Sequence, residues 1–244
     1  MDLFVFRHAQ GHNNLPVDTS PISPDEVRRR LDAPLTDLGR RQAHLLADWV
    51  ADRWSADVAG TYGKVAFFFS HLYASPMQRT AETAGALSVA LDLPIIFEPL
   101  THECGGLSFK TQEGSVVTVP GLHRAYFEEN YPGAHIPEAI TPSGWWARNL
   151  PETPEDWDDR ADRWLESVTE AHDEDAKIAL VTHQGFFQAI CRRLLRINGD
   201  VDARPLWFTL FNTGAAHIRL GPDEEVSFRF VNQLAHLPPQ MITG

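Results

Sequence analysis

Arg7, His8, Arg79, Glu103 and His183 are side chains able to hold and move a tetrahedral anion. A guanidinium keeps its charge at any working pH and offers an anion paired, parallel hydrogen bonds, so Arg7 and Arg79 can grip a phosphoryl group through a reaction. A neutral imidazole is a competent nucleophile, and flanking arginines favour its neutral form because like charge lowers its pKa. His8 directly follows Arg7. A second imidazole at His183, if protonated, would hydrogen-bond oxygens on which negative charge accumulates. A carboxylic acid at Glu103 can hand a proton to a leaving oxygen. With arginine and histidine carrying the electrostatic load, such chemistry requires no metal and no cofactor.

Each of these residues follows, or nearly follows, a segment with strand character. Residues 3–6 form an apolar run that breaks into Arg7-His8 and then Gly11. Residues 65–69 (Val-Ala-Phe-Phe-Phe) read as a second buried strand, with Tyr73-Ala74-Ser75 just beyond it. Pro76 then opens a helix through Thr80, Ala84 and Leu87, which carries Arg79 in its first turns. Residues 94–97 give a third strand ahead of Glu103. Residues 177–181 give a fourth, ending in Thr182-His183-Gln184-Gly185 before an apolar helix over 186–195. Two further strands, 215–220 and 226–231, flank a Gly221-Pro222-Asp223 turn. Ala43, Leu46, Ala47 and Val50 share one helix face, with Thr36 as the expected N-cap.

Strands alternating with helices predict a three-layer α/β/α fold with a mostly parallel central sheet. In such sheets ligands bind beyond the carboxyl ends of the strands, which is where these side chains fall. Residues 105–157 break the rhythm. They are rich in Pro, Gly and aromatics (Tyr126, Phe127, Tyr131, Trp145, Trp146, Trp157) and read as an insertion, a lid over the site within a single domain spanning 1–244. Most of those aromatics are expected to pack, with one or two facing the cleft. Lys110, His123, Arg124, His135 and Arg148 are the insertion's candidate cations, and specificity is expected to reside there and in the loop over 13–32.

Composition narrows the partners. The chain has 21 Lys and Arg against 33 Asp and Glu, a formal charge of −12, and no basic stripe, which argues against nucleic acid and acidic membrane surfaces. No run approaches the roughly 20 apolar residues of a membrane span. The N-terminus lacks a basic region followed by a long apolar run, so it does not read as a signal peptide. Cys104 and Cys191 lie far apart, which makes a disulfide framework or zinc knuckle unlikely. A soluble cytoplasmic protein acting on a small phosphorylated substrate or inorganic phosphate is the expectation. Oligomeric state is not legible.

The residues also fall into ordered motifs. Arg7-His8-Ala9-Gln10-Gly11-His12-Asn13-Asn14 comes first, then Pro34-Leu35-Thr36-Asp37-Leu38-Gly39 with Gln42-Ala43. Ser75-Pro76-Met77-Gln78-Arg79-Thr80-Ala81-Glu82-Thr83-Ala84 follows, then Val181-Thr182-His183-Gln184-Gly185, and finally Asn232 with His236-Leu237. In order and spacing, over most of the chain outside 105–157, this resembles the histidine phosphatase superfamily, which includes the cofactor-dependent phosphoglycerate mutases. Ala9 stands where that family usually has glycine, as does Gln184. The resemblance implies a phosphoglycerate mutase-like fold, His8 as nucleophile, and a phosphate pocket of Arg7, Arg79 and His183, with Asn14 as a further phosphate contact. It makes Glu103 the proton donor, although Cys104-Gly105-Gly106 matches the family only loosely.

Three functions stay open at this level. A metal-independent phosphomonoester hydrolase with a phosphohistidine on His8 is favoured. A cofactor-dependent phosphoglycerate mutase is the alternative, disfavoured because Thr101-His102-Glu103-Cys104-Gly105-Gly106-Leu107 lacks an arginine after the acid. A non-enzymatic phospho-ligand module would be expected to lose the nucleophile or an arginine, and this chain retains them. Plainer roles compete residue by residue: Arg79 paired with Glu82 one helical turn on, His8 and His12 as metal ligands if helical, His183 as a core histidine, Glu103 as a solvated carboxylate.

Overall fold

A computed structural model describes residues 1–16, 23–55, 69–111, 114–197 and 206–244. Its centre is a six-stranded sheet in the order β3-β2-β6-β1-β7-β8. The strands are β1 (Asp2–Arg7), β2 (His71–Ala74), β3 (Ile95–Phe97), β6 (Lys177–Thr182), β7 (Ala215–Leu220) and β8 (Val226–Gln233). From β3 to β1 the pairing is parallel; β7 and β8 add an antiparallel flank.

Successive residues of a strand face opposite sides of the sheet, so a strand covered on both sides is apolar throughout. In β1, Phe4 and Phe6 enter a core with Leu46 and Val50 of α2 (Asp37–Ser55) and Leu87 of α3 (Gln78–Leu91). Leu3 and Val5 enter the opposite core, with Ala161, Trp164 and Val168 of α5 (Pro154–Ala171) and Phe186 and Ile190 of α6 (Gln184–Leu194). Each of these fully buried large side chains contributes roughly 1.5–3 kcal/mol. The fold is therefore the three-layer arrangement expected. Thr36 caps α2 as anticipated, its Oγ1 accepting from the Gly39 N–H at 2.9 Å.

The expected strand over 65–69 lies largely outside the described residues. The strand that joins the sheet there is β2, which includes Tyr73 and Ala74 and buries Leu72 and Ala74 between β3 and β6. Within 105–157 the chain forms a hairpin of β4 (Ser108–Lys110) and β5 (Val116–Thr118) and a helix α4 (Arg124–Asn130). Phe127, Trp145 and Trp146 pack into the α3-side core, and Phe127 meets Phe97 of β3 edge to face at 4.5 Å between centroids. The backbone of His135 pairs with Ile95 and Phe97, covering the open edge of β3. α1 (Pro24–Leu31) precedes α2. Among the described residues no helix is long and apolar enough to cross a membrane.

Candidate active site

The strand register brings the two predicted imidazoles together. Arg7 pairs with Thr182 at the ends of β1 and β6, so the next residues, His8 and His183, leave the sheet side by side. Their rings lie 5.1 Å apart between centroids. The helices that follow these neighbouring strands go to opposite faces, α2 to one and α6 to the other. That is the reversal point at which an open parallel sheet forms a crevice. Ala74 pairs with Val181, which delivers Ser75 to the same place, and Ser75 Oγ is 2.9 Å from His183 Nε2.

His8 is 2% exposed. Its Nδ1 lies 2.7 Å from the Ala9 carbonyl oxygen, an acceptor only, which assigns the proton to Nδ1 and makes Nε2 the ring's lone-pair nitrogen. Arg79 Nε donates to that Nε2 at 3.2 Å. Burial holds the His8 pKa well below the ordinary imidazole value, and the positive charges of Arg79 and then Arg7 push it the same way. His183 is fully buried and also held well below the ordinary value, by burial and then by Arg79. Both environments therefore favour the neutral ring. A resting imidazolium at His183 is not favoured.

The arginines are anchored while keeping donors to spare. Arg7 Nη1 donates to the Leu210 carbonyl at 2.8 Å, and its Nε is buried without a partner among the described residues. Burial lowers its pKa to about 10, so it keeps its charge at neutral pH. Arg79 donates through Nη1 to the Leu31 carbonyl at 3.3 Å and through Nη2 to Met77 Sδ at 3.2 Å. Glu82 is engaged elsewhere, with the Leu35 N–H at 3.2 Å and Arg40 at 3.3 Å, so the local ion pair with Arg79 does not form. His183 Nδ1 is a second buried nitrogen without a partner among the described residues. A tetrahedral dianion would satisfy such donors.

Glu103 lies on the loop after β3, with Oε1 accepting from the Cys104 N–H at 2.8 Å. Together with Arg79 it lines a cleft of about 500 Å³. The other walls include Arg30, Leu31, Phe109, Lys110 and Trp157. Asn14 is less directly placed: its Oδ1 accepts from the Gly11 N–H at 3.0 Å and so shapes the turn after His8. His12 begins a 3-10 turn and is exposed, so it does not share a helix face with His8. Of the insertion's candidate cations, Lys110 lines the cleft. Arg124 braces the carbonyls of Ile136, Pro137 and Ile140, Arg148 pairs with Asp156, and His123 caps α4.

The profile of the histidine phosphatase superfamily (branch 1) matches residues 3–232. The chain belongs to that superfamily. No curated protein matches it in sequence. Among solved structures, a mycobacterial glucosyl-3-phosphoglycerate phosphatase is 20% identical, with 96% of this chain and 99% of that chain covered at a TM-score of 0.59. A mutant phosphoserine phosphatase from Entamoeba histolytica in complex with phosphoserine is 16% identical, with 97% and 99% covered at 0.59. The ecdysone phosphate phosphatase of Bombix mori in complex with tungstate is 18% identical, with 98% and 93% covered at 0.58. At such identities the likeness establishes the phosphoglycerate mutase-like fold.

Several supports of this candidate site have no signal in the sequence alone. Asn212 Nδ2 donates to the His8 carbonyl at 3.0 Å, holding the His8 backbone from 204 positions away. Gln184, where the family usually has glycine, clamps the segment that anchors Arg7: its Nε2 donates to the Phe208 carbonyl and its Oε1 accepts from the Leu210 N–H. Asp32, behind Arg79, accepts from the Gln78 N–H at 2.7 Å, and burial pushes its carboxyl up to about 6. Asn232 and His236, which the motif reading did single out, brace the same region by bonds to the Phe211 N–H and Thr213 Oγ1.

Gly185 has a spatial reason to be glycine. A Cβ there would sit 2.4 Å from Glu103 Oε1 and 3.0 Å from Cys104 Cβ. Gly185→Ala is thus expected to displace the carboxylate and lower kcat by about 10- to 100-fold, a scale set by the cost of small misplacements in an active site. Steady-state kinetics on an alkyl phosphate checks this; unchanged kcat would mean that the carboxylate's position is immaterial.

Proposed function

We propose that this chain is a phosphomonoester hydrolase that works through a phosphohistidine on His8, without a metal. The observation that carries the reading is the buried His8 with Nδ1 held by a carbonyl and Nε2 against Arg79, surroundings that favour the neutral ring. The ring is arranged to attack through one nitrogen, between two fixed positive charges. The phosphatases among its structural neighbours support hydrolysis.

In the first step His8 Nε2 attacks phosphorus in line. The N–P bond forms as the P–O bond to the leaving group breaks, and Glu103 gives its proton to the departing oxygen. Arg7 and Arg79 hold the equatorial oxygens throughout. The dianion's negative charge favours proton uptake at His183, which then donates to one of those oxygens. In the second step water attacks phosphorus, Glu103 takes a water proton, and the N–P bond breaks to release phosphate and restore His8. The substrate is a small phosphorylated molecule, and residues 105–157 act as the lid that selects its leaving group. Ser108, Phe109 and Lys110 of that insertion line the cleft.

The test is turnover of p-nitrophenyl phosphate with and without EDTA, beside a coupled assay on 3-phosphoglycerate with bisphosphoglycerate. Release of orthophosphate, unaffected by EDTA, is expected. Loss of activity to the chelator would refute metal independence. Transfer between substrate positions faster than phosphate release would establish the mutase instead.

A further inference from the structure

We propose that Arg160 and Glu152 are positioning residues for the proton donor, a role that rests on Glu103 being that donor. The Glu103 carboxylate is tied within the protein by a bond from its own neighbour's backbone, Cys104 N–H to Oε1. Its location is therefore inherited largely from the backbone that carries it. That backbone is held in an unusual way. The carbonyls of three successive residues before Glu103 each accept a bond from a side chain: Leu100 from Arg160 Nη1 at 2.5 Å, Thr101 from Thr182 Oγ1 at 2.6 Å, and His102 from Arg160 Nη1 at 2.8 Å.

Glu152 fixes the clamp. Arg160 donates to it in bidentate fashion, Nε to Oε1 at 3.0 Å and Nη2 to Oε2 at 2.8 Å, and His102 Nε2 lies 3.1 Å from the same Oε1. Arg160 is 5% exposed and Glu152 9%. The guanidinium also lies over the Phe186 ring, 4.8 Å from its centroid, in the helix that starts just after His183. One side chain of α5 thus joins the acid's loop to the element that carries the second imidazole. Thr182, the last residue of β6, makes the same connection from the sheet.

A buried ion pair is a poor device for stability alone, because the cost of removing both charges from water offsets most of their attraction. It is a good device for geometry. The planar guanidinium places its donors in a fixed fork, so two carbonyls and a carboxylate are held in mutual register. The carboxylate also balances the guanidinium, so the clamp itself adds no net charge beside the acid. Neither side chain contacts Arg7, His8, Arg79 or His183 in the hydrogen bonds and ion pairs of the described residues. Arg160 does reach His183 through space, where its charge helps to lower the pKa, so the leaving-group profile is what separates an effect through Glu103 from one through His183.

The test separates proton donation from general damage by varying the leaving group. Wild type, Glu103→Gln, Arg160→Lys, Glu152→Gln and the Glu103→Gln/Arg160→Lys double variant are assayed on p-nitrophenyl phosphate, phenyl phosphate and glycerol phosphate. Thermal unfolding of each is followed by circular dichroism. Glu103→Gln is expected to lose about 10²- to 10⁴-fold in kcat on the alkyl ester and far less on the nitrophenyl ester, whose leaving group needs no proton. Arg160→Lys and Glu152→Gln are expected to show the same leaving-group pattern at about 10- to 100-fold on the alkyl ester. Inhibition by inorganic phosphate should be unchanged in both. The double variant should be no slower than Glu103→Gln, because the clamp acts on a group already removed.

Equal losses on all three esters, additive losses in the double variant, or full activity in Arg160→Lys and Glu152→Gln would overturn the positioning role. Should Arg160→Lys fail to fold, the isosteric Glu152→Gln decides by the same pattern. A flat leaving-group profile in Glu103→Gln itself would overturn the donor assignment, a distinct outcome that removes the basis of the clamp's role as well.

Discussion

Replacing His8 with alanine is expected to lower kcat for an aryl phosphate by at least about 10⁴-fold, the scale seen when a covalent nucleophile is removed. Among the described residues no other group of the site is equally poised: Cys104 lines the cleft, but burial raises its thiol pKa. His183 is 5.1 Å away between centroids, with its Nε2 held against Ser75, and His12 is exposed. The substitution leaves Arg7, Arg79 and His183, the proposed anion pocket, in place, so inorganic phosphate should still bind and raise the melting temperature of the variant. Stopped-time assays on p-nitrophenyl phosphate and thermal shift with phosphate check the two halves. Activity within tenfold of wild type would show that His8 is not the attacking group.

Arg79→Gln is expected to lower kcat/KM by about 10²- to 10³-fold, the usual loss when one fixed donor to a developing charge is removed. It should also move the pH profile, in a direction set by the causes acting on His8. Its pKa is held below the ordinary value by burial first and then by the charges of Arg79 and Arg7. Attack requires the neutral ring, so activity persists as pH falls until His8 protonates. Removing Arg79 takes away one lowering influence and leaves burial in place. The His8 pKa then rises part of the way toward 6.5, and the acid limb of kcat/KM moves to higher pH. Comparing both proteins on one substrate cancels the ester's own ionisation. A limb that stays put, or moves to lower pH, would show that the guanidinium charge does not act on the nucleophile. Lysine is not expected to restore the wild-type rate, since a point charge cannot reproduce the guanidinium fork.

The parts of this structure that the sequence makes legible are those with local causes. β1 and β6 are continuous apolar runs ending abruptly in Arg7-His8 and Thr182-His183, and a parallel sheet buried on both faces demands such runs. Once their ends pair in register, the convergence of the two histidines follows. β2 was harder, because the more apolar stretch over 65–69 draws attention from His71–Ala74, where only alternate residues are buried. Tertiary pairing with β3 and β6 determines that strand, and no local pattern reports it.

The supports around the site are illegible for a different reason. Arg160 stands in the run Asp156-Trp157-Asp158-Asp159-Arg160-Ala161-Asp162, which reads as a solvated helix face laced with ion pairs. Its neighbours behave that way: Asp158 and Asp162 pair with Arg192 and Arg193. Arg160 points instead into the protein, to Glu152 and to carbonyls about 60 positions back, and only the packing of α5 under the acid's loop brings them together. Asn212 and Asp32 are similar cases of polar residues whose partners are set by the fold. The insertion's aromatics divide by position and not by size: Phe127, Trp145 and Trp146 enter the core, Tyr126 and Tyr131 pack against it, and Trp157 lines the cleft.

The most direct measurement is to quench the enzyme during turnover of an aryl phosphate under alkaline conditions, where a phosphoramidate survives, and to map the peptides by mass spectrometry. A phosphoryl group on His8, formed at a rate no slower than turnover and absent from Arg79→Gln in proportion to its lost activity, is the predicted result. Full hydrolysis with His8 unmodified at every time point, or the phosphoryl group on another residue, would contradict it.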